Sequence, residues 1–184
     1  MKTYLIRFTI AAFLMIPFLT MAQSPIDKVY EKYAGQERFT SVNFSKEMFQ
    51  MFQQMMGDKT DTSTLEIKHM MEQLSGLKVL TYSIDSSNMV KAVAIYNEFA
   101  GLFPASIYKE LMTVNEGRES YKFMTKQDAA GKVGEMVMLM KGKTEVALLS
   151  LTGNIDLSSI SKLSKGMNIK GMESLQKMKH AHGK

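Results

Sequence analysis

The chain has 184 residues, no cysteine, 18 methionines and a formal net charge of +5. Without thiols it has no disulfide staple, no cysteine nucleophile and no thiolate metal site, so stability has to come from a packed core. The charge is too mild to argue for a nucleic-acid partner.

Residues 1–7 carry Lys2 and Arg7, and residues 8–19 carry no charge before Thr20-Met21-Ala22-Gln23. A basic start, an apolar run and small residues before a cut predict a signal peptide over residues 1–22, cleaved after Ala22. The run falls short of the ~20 residues a spanning helix needs, and Pro17 interrupts it, so no stable membrane span is expected. No cysteine follows it to accept a lipid. The expected location is periplasmic or secreted. Residues 23–179 are expected to form a single α+β domain and residues 180–184 a flexible basic tail.

Ser24-Pro25-Ile26-Asp27 predicts a helix start, with Ile26, Val29, Tyr30 and Tyr33 on one face until Gly35. Residues 39–44 are a β-prone run, and Ser45 is placed to cap a helix whose inner face reads Met48, Met51, Phe52 and Met55 beside Phe44. After the polar turn at residues 57–62, Ser63 and Glu66 have capping-box spacing ahead of a helix lined by Ile67, Met70, Met71 and Leu74. Gly76 is expected to end it and residues 77–84 to form a buried strand. Asp85-Ser86-Ser87 then opens a third helix, with Met89, Val93, Tyr96, Ala100 and Phe103 on one face up to Pro104.

From Tyr108 the apolar period shifts from helical to alternating. Strands are predicted over residues 108–114, 120–126, 132–141 and 144–152, separated by glycine-containing turns. Gly153-Asn154 is expected to end the sheet, and Asp156 to cap a helix holding Leu157, Ile160 and Leu163 that closes at Gly166. A short last helix is expected around Met172 and Leu175. The fold class is therefore α+β: a single, mostly antiparallel sheet with a four-strand C-terminal meander and helices packed on it. Residues 136–140 are apolar on both strand faces, which suggests a central strand covered on both sides or a face awaiting a partner.

Four motifs recur in order: Phe39-Thr-Ser-Val-Asn-Phe-Ser-Lys-Glu-Met-Phe, Leu74-Ser-Gly-Leu-Lys-Val-Leu-Thr-Tyr, Tyr108-Lys-Glu-Leu-Met-Thr-Val and Leu151-Thr-Gly-Asn-Ile-Asp-Leu. With them the chain resembles the domain of unknown function four-two-five-two, exported proteins of Bacteroidota-type bacteria, over about residues 30–175. The resemblance implies no particular reaction, cofactor or catalytic residue. Many members look lipid-anchored through an N-terminal cysteine, which this chain lacks.

Candidate chemistry is sparse. Met48, Met51 and Met55 share a helix face and their thioethers could hold Cu(I), although the neighbouring Phe44 and Phe52 read as core packing. His69 adjoins Met70 and Met71 but lies round the helix from their face. His180 and His182 could bind a divalent ion weakly from the tail. Glu47, Glu66, Glu72 and Glu98 could be drawn as carboxylate pairs, yet such acids on amphipathic helices are ordinarily solvated. No serine has a nucleophile-elbow surround and no glycine-rich loop cradles phosphate. Lys162, Lys165, Lys170, Lys177 and Lys179 make the C-terminal end basic, suited to an acidic lipid surface or partner. A pocket lined by Tyr96, Phe99 and Phe103 is a further option. The leading expectation is a non-catalytic binding or regulatory module, without cofactor, metal or nucleic acid, with another envelope protein as its possible partner. Soft-metal handling and small-ligand binding are the alternatives.

Overall fold

The structure is a computed structural model and describes residues 24–57 and 61–156. Its elements in chain order are α1 (Pro25–Tyr33), β1 (Phe39–Ser45), α2 (Lys46–Met55), α3 (Thr62–Gln73), β2 (Leu74–Ser83), α4 (Met89–Gly101), β3 (Tyr108–Glu116), β4 (Glu119–Gln127), β5 (Val133–Lys141) and β6 (Glu145–Ile155). The six strands make one sheet in the order β1-β2-β6-β5-β4-β3. Every neighbouring pair is antiparallel. The chain crosses from β2 to the far edge through α4, then returns by the meander β3 to β6, so that β6 closes against β2. The expected signal peptide, the helices after Asp156 and the basic tail lie outside the described residues.

Strand alternation divides the core in two. On the first face Leu80, Tyr82, Met124, Val137, Leu139, Val146 and Leu148 meet Ile26, Val29 and Tyr33 of α1 and Ala92, Ile95 and Phe99 of α4. On the second face Phe123, Val133, Met136 and Ile155 pack with Phe49 of α2 and Leu74 at the start of β2. Apolar burial at about 25 cal/mol per Å² is what holds these layers. Strand β5 sits between both faces, which accounts for its unbroken apolar run: Met136, Val137 and Leu139 are all buried.

Several local expectations need correction. Helix α2 turns Phe49 inward with Phe52 and Met56 half-buried, whereas Met48, Met51 and Met55 are 36%, 47% and 74% exposed. Two apolar stripes run along this helix one residue apart, and the sheet selects the one the periodicity did not. Helix α4 shows the same rotation: Ala92, Ile95 and Phe99 are buried, while Met89 and Val93 face out. The cap of α3 is Asp61 rather than Ser63: its carboxylate accepts from Thr64 N at 2.9 Å and from the Ser63 and Thr64 hydroxyls. These bonds hold the Asp61 carboxyl well below the usual carboxylate range.

Gly153 does not end the sheet. Strand β6 continues to Ile155, with Gly153 at φ +148° directly under the α3–β2 junction. A β-carbon at Gly153 would stand 2.2 Å from the Gln73 carbonyl oxygen and 2.8 Å from Leu74 Cα, so only glycine lets the two backbones approach.

Candidate functional site

On the first face, a cleft of about 490 Å³ opens where the N-terminal end of α4 meets the tips of two hairpins. Its walls are Ile84, Met89, Ala92 and Val93 on one side and Gly117, Arg118, Lys141, Gly142 and Lys143 on the other. The β3–β4 tip turns at Gly117, with φ +60°, which presents Arg118. The β5–β6 tip closes by Gly142 N–H donating to the Glu145 carbonyl at 2.8 Å. The helix end is fixed by its flanks: Asn88 accepts from Asp85 N and donates to the Ser83 carbonyl, each at 3.0 Å. Asp85 accepts from the Ser87 hydroxyl at 2.5 Å and from the Arg38 guanidinium, and Ser87 and Arg38 together hold its carboxyl down to about 2.

The exposure that corrects the phase of α4 is what gives this cleft its apolar wall. Met89 and Val93 are 53% and 51% exposed and border it rather than the core. Opposite them stand three cations. The Lys141 ammonium lies 5.2 Å from the Tyr96 ring centroid, and Lys143 lies 3.7 Å from Glu119 Oε1. Among the described residues no carboxylate, imidazole or hydroxyl side chain lines the cleft, so its chemistry is attraction for an anion beside an apolar surface.

A second polar group is closed rather than open. Glu135 is 4% exposed and accepts hydrogen bonds from the Tyr108 hydroxyl at 2.9 Å, Ser150 Oγ at 2.7 Å and Ser24 Oγ at 3.1 Å. Burial, with the carboxylate charge and hydrogen bond added, pushes the Tyr108 hydroxyl well above its ordinary value. The arrangement ties α1, β3 and β6 to β5. Its hydroxyls donate and its carboxylate accepts, so it works as a brace between elements. Beside it Lys78 pairs with Asp27 and lies 5.6 Å from the Tyr30 ring, securing α1 to β2.

The candidates read from the sequence are not brought together. Phe99 and Phe103 are buried in the first core with Tyr96 packed on it, so these three line packed interior and not the cleft described above. His69 is on the surface, 2.9 Å from the Gln73 amide and 3.7 Å from Glu72. Glu47 and Glu72 are exposed on different helices. Glu98 accepts from Lys32 and from the Tyr33 hydroxyl, both at 2.7 Å, which clamps α4 to α1. His180, His182 and the five C-terminal lysines lie outside the described residues. Among the described residues there is no group of three or more His, Asp or Glu placed to hold a metal ion. Arg118, Lys141 and Lys143 were missed because they sit at two turns 23 or more positions apart, and only the meander's register joins them.

Among the described residues no helix is long and apolar enough to cross a membrane. Comparison with curated proteins and with solved structures gives no match. Residues 30–163 match one family, spanning α1 through β6 and therefore the whole sheet and the cleft, and the chain belongs to that family, the Domain of unknown function (DUF4252).

Proposed function

We propose that this protein is a non-catalytic binding module that acts outside the cytoplasm and takes an amphiphilic anion in the cleft at the head of α4. The apolar part of the ligand lies along Met89, Ala92, Val93 and Ile84, and its carboxylate or phosphate group meets Arg118, Lys141 and Lys143. The observation that carries this reading is the lining itself, which among the described residues supplies cations and apolar surface and no acid, imidazole or hydroxyl. Exposed charge contacts contribute about 0.2–1 kcal/mol each, so reversing two of them costs roughly tenfold or more in affinity. Calorimetric titration with dodecanoate, dodecanol and dodecyltrimethylammonium tests it. The acid binds best, and Arg118→Glu with Lys141→Glu weakens it by about tenfold while leaving the alcohol little changed. Equal binding of the cationic amphiphile, or no response to the charge reversal, contradicts it.

A second reading is favoured by one observation, the solvent exposure of Met48, Met51 and Met55 on α2. Met48 and Met51, or Met51 and Met55, are about one turn apart and could share a Cu(I) ion. Met48 and Met55 are about 10 Å apart along the axis, so a single ion takes two of the three. A competition titration under reducing conditions, comparing the protein with a variant carrying leucine at all three positions, separates specific binding from none.

A further inference from the structure

Helix α4 carries no charge on the side turned away from the sheet. Ala92, Ile95 and Phe99 point inward, so the opposite side reads Val90, Ala94, Asn97 and Gly101, all exposed. Val90 is 87% exposed, and Met89 and Val93 carry the apolar surface from it into the cleft. The two charged residues of the helix lie on its other flank: Glu98 is bonded by Lys32 and Tyr33 of α1, and the Lys91 ammonium stands 5.9 Å from the Tyr82 ring centroid. A helix packed on one side ordinarily turns charge to water on the other, so an uncharged outer side beside a cleft is suited to an apolar contact.

We propose that the outer side of α4 and the cleft beside it form one docking face for an anionic phospholipid bilayer. Met89, Val90 and Val93 enter the boundary of the acyl chains, and Arg118 and Lys141 meet lipid phosphates. The anion taken by the cleft is then a membrane lipid, so the proposal rests on the ligand reading given above. Charge selects this occupant. Strand alternation puts Glu116, Glu119 and Glu145 on the side of Tyr121, where all three act on its hydroxyl. Lys141 is on the opposite side, against Tyr96 of α4, and Arg118 lines the cleft with it. Lys143 stands between the two sides, 3.7 Å from Glu119 Oε1. A second copy docked by two-fold symmetry would bring the same uncharged helix side to these cations. Asp85 ahead of the helix is already held by Arg38 and Ser87, and Glu98 by Lys32 and Tyr33. An anionic bilayer supplies both an apolar layer and the phosphates.

The chain has no tryptophan, so Val90→Trp places a single emitter on this face. The full chain carrying it is titrated with vesicles of equal phosphatidylglycerol and phosphatidylcholine, and with vesicles of phosphatidylcholine alone. Docking predicts a blue-shifted emission that brominated lipid quenches in the anionic vesicles, and neither change for Met55→Trp on the far side of the sheet. Adding Arg118→Glu and Lys141→Glu weakens the vesicle response by about tenfold or more. Circular dichroism confirms that each variant is folded. An equal response to the neutral vesicles, or none to either, would overturn the proposal. A blue shift that needs no vesicles and grows with protein concentration would give the face to a second copy and overturn it as well. Val90 is outside the cleft lining, so Val90→Asp is expected to weaken vesicle binding by about tenfold and to leave the dodecanoate titration unchanged. Dodecanoate binding without a vesicle response sinks the docking face alone. A vesicle response without dodecanoate binding supports the docking face and contradicts the cleft as a ligand site.

Discussion

The Gly153 α-carbon faces the Gln73 carbonyl so closely that a β-carbon would stand 2.2 Å from the oxygen. This contact sets the depth at which the α2–α3 pair sits on the sheet, because Gln73 ends α3 and Gly153 lies late in β6. Gly153→Ala combines a steric clash with a backbone at φ +148° and is expected to cost about 3 kcal/mol or more. Gly35→Ala, at φ +79° with nothing near, is expected to cost only about 1 kcal/mol. Chemical denaturation of both variants checks the difference.

The brace around Glu135 is expected to behave as a unit. Tyr108→Phe removes one buried hydrogen bond and costs about 1–2 kcal/mol. Glu135→Ala leaves the hydroxyls of Tyr108 and Ser150 without their acceptor and costs about 3 kcal/mol. The double variant is less destabilised than the sum, and additive losses measured by denaturation would show that the groups are independent.

The phase of α2 can be read from stability. Phe49 is 8% exposed, so Phe49→Ala is expected to cost about 3 kcal/mol or more. Met51→Gln and Met55→Gln, on the outer stripe, are expected to change stability by about 0.5 kcal/mol or less each. The reverse ranking in thermal unfolding would restore the inner placement of the methionines.

Two buried hydroxyls, Tyr82 OH and Thr125 Oγ1, have no partner among the described residues. Replacing an unsatisfied buried hydroxyl by an apolar group of like shape removes a desolvation cost. Tyr82→Phe and Thr125→Val are therefore expected to be neutral or to stabilise by up to about 1 kcal/mol in urea unfolding. A clear loss in either would reveal a partner for that hydroxyl.

Acid sensitivity follows from Asp85, which bonds from Ser87 and Arg38 hold down to about 2 from an ordinary value of 3.8. A carboxyl depressed in the folded state contributes stability above its unfolded value, and that contribution is lost as pH falls through the folded one. Wild type is therefore expected to lose stability between about pH 4 and about pH 2, and Asp85→Asn to show a smaller slope there in pH-dependent unfolding.

Much of this fold was legible from local signals. The Pro25 start of α1, the turns between β3 and β6 and the double-sided apolar run of β5 each rest on short-range pattern. Helix phase was not legible where two apolar stripes adjoin, as with Met48 and Phe49 or Ala92 and Val93, because only the opposing sheet decides between them. Gly153 read as a terminator because its role is a contact with Gln73, 80 positions away. The cleft was hidden for a like reason: its cations come from separate hairpin tips, and its apolar wall is the helix stripe that periodicity had assigned to the core.

The most direct test is a nitrogen-15 NMR titration of the protein with dodecanoate. Binding in the cleft predicts saturable amide shifts centred on Met89, Val93, Arg118 and Gly142, with the second sheet face unmoved. Saturable shifts centred instead on Leu149 and Met138, or none at all, would contradict it.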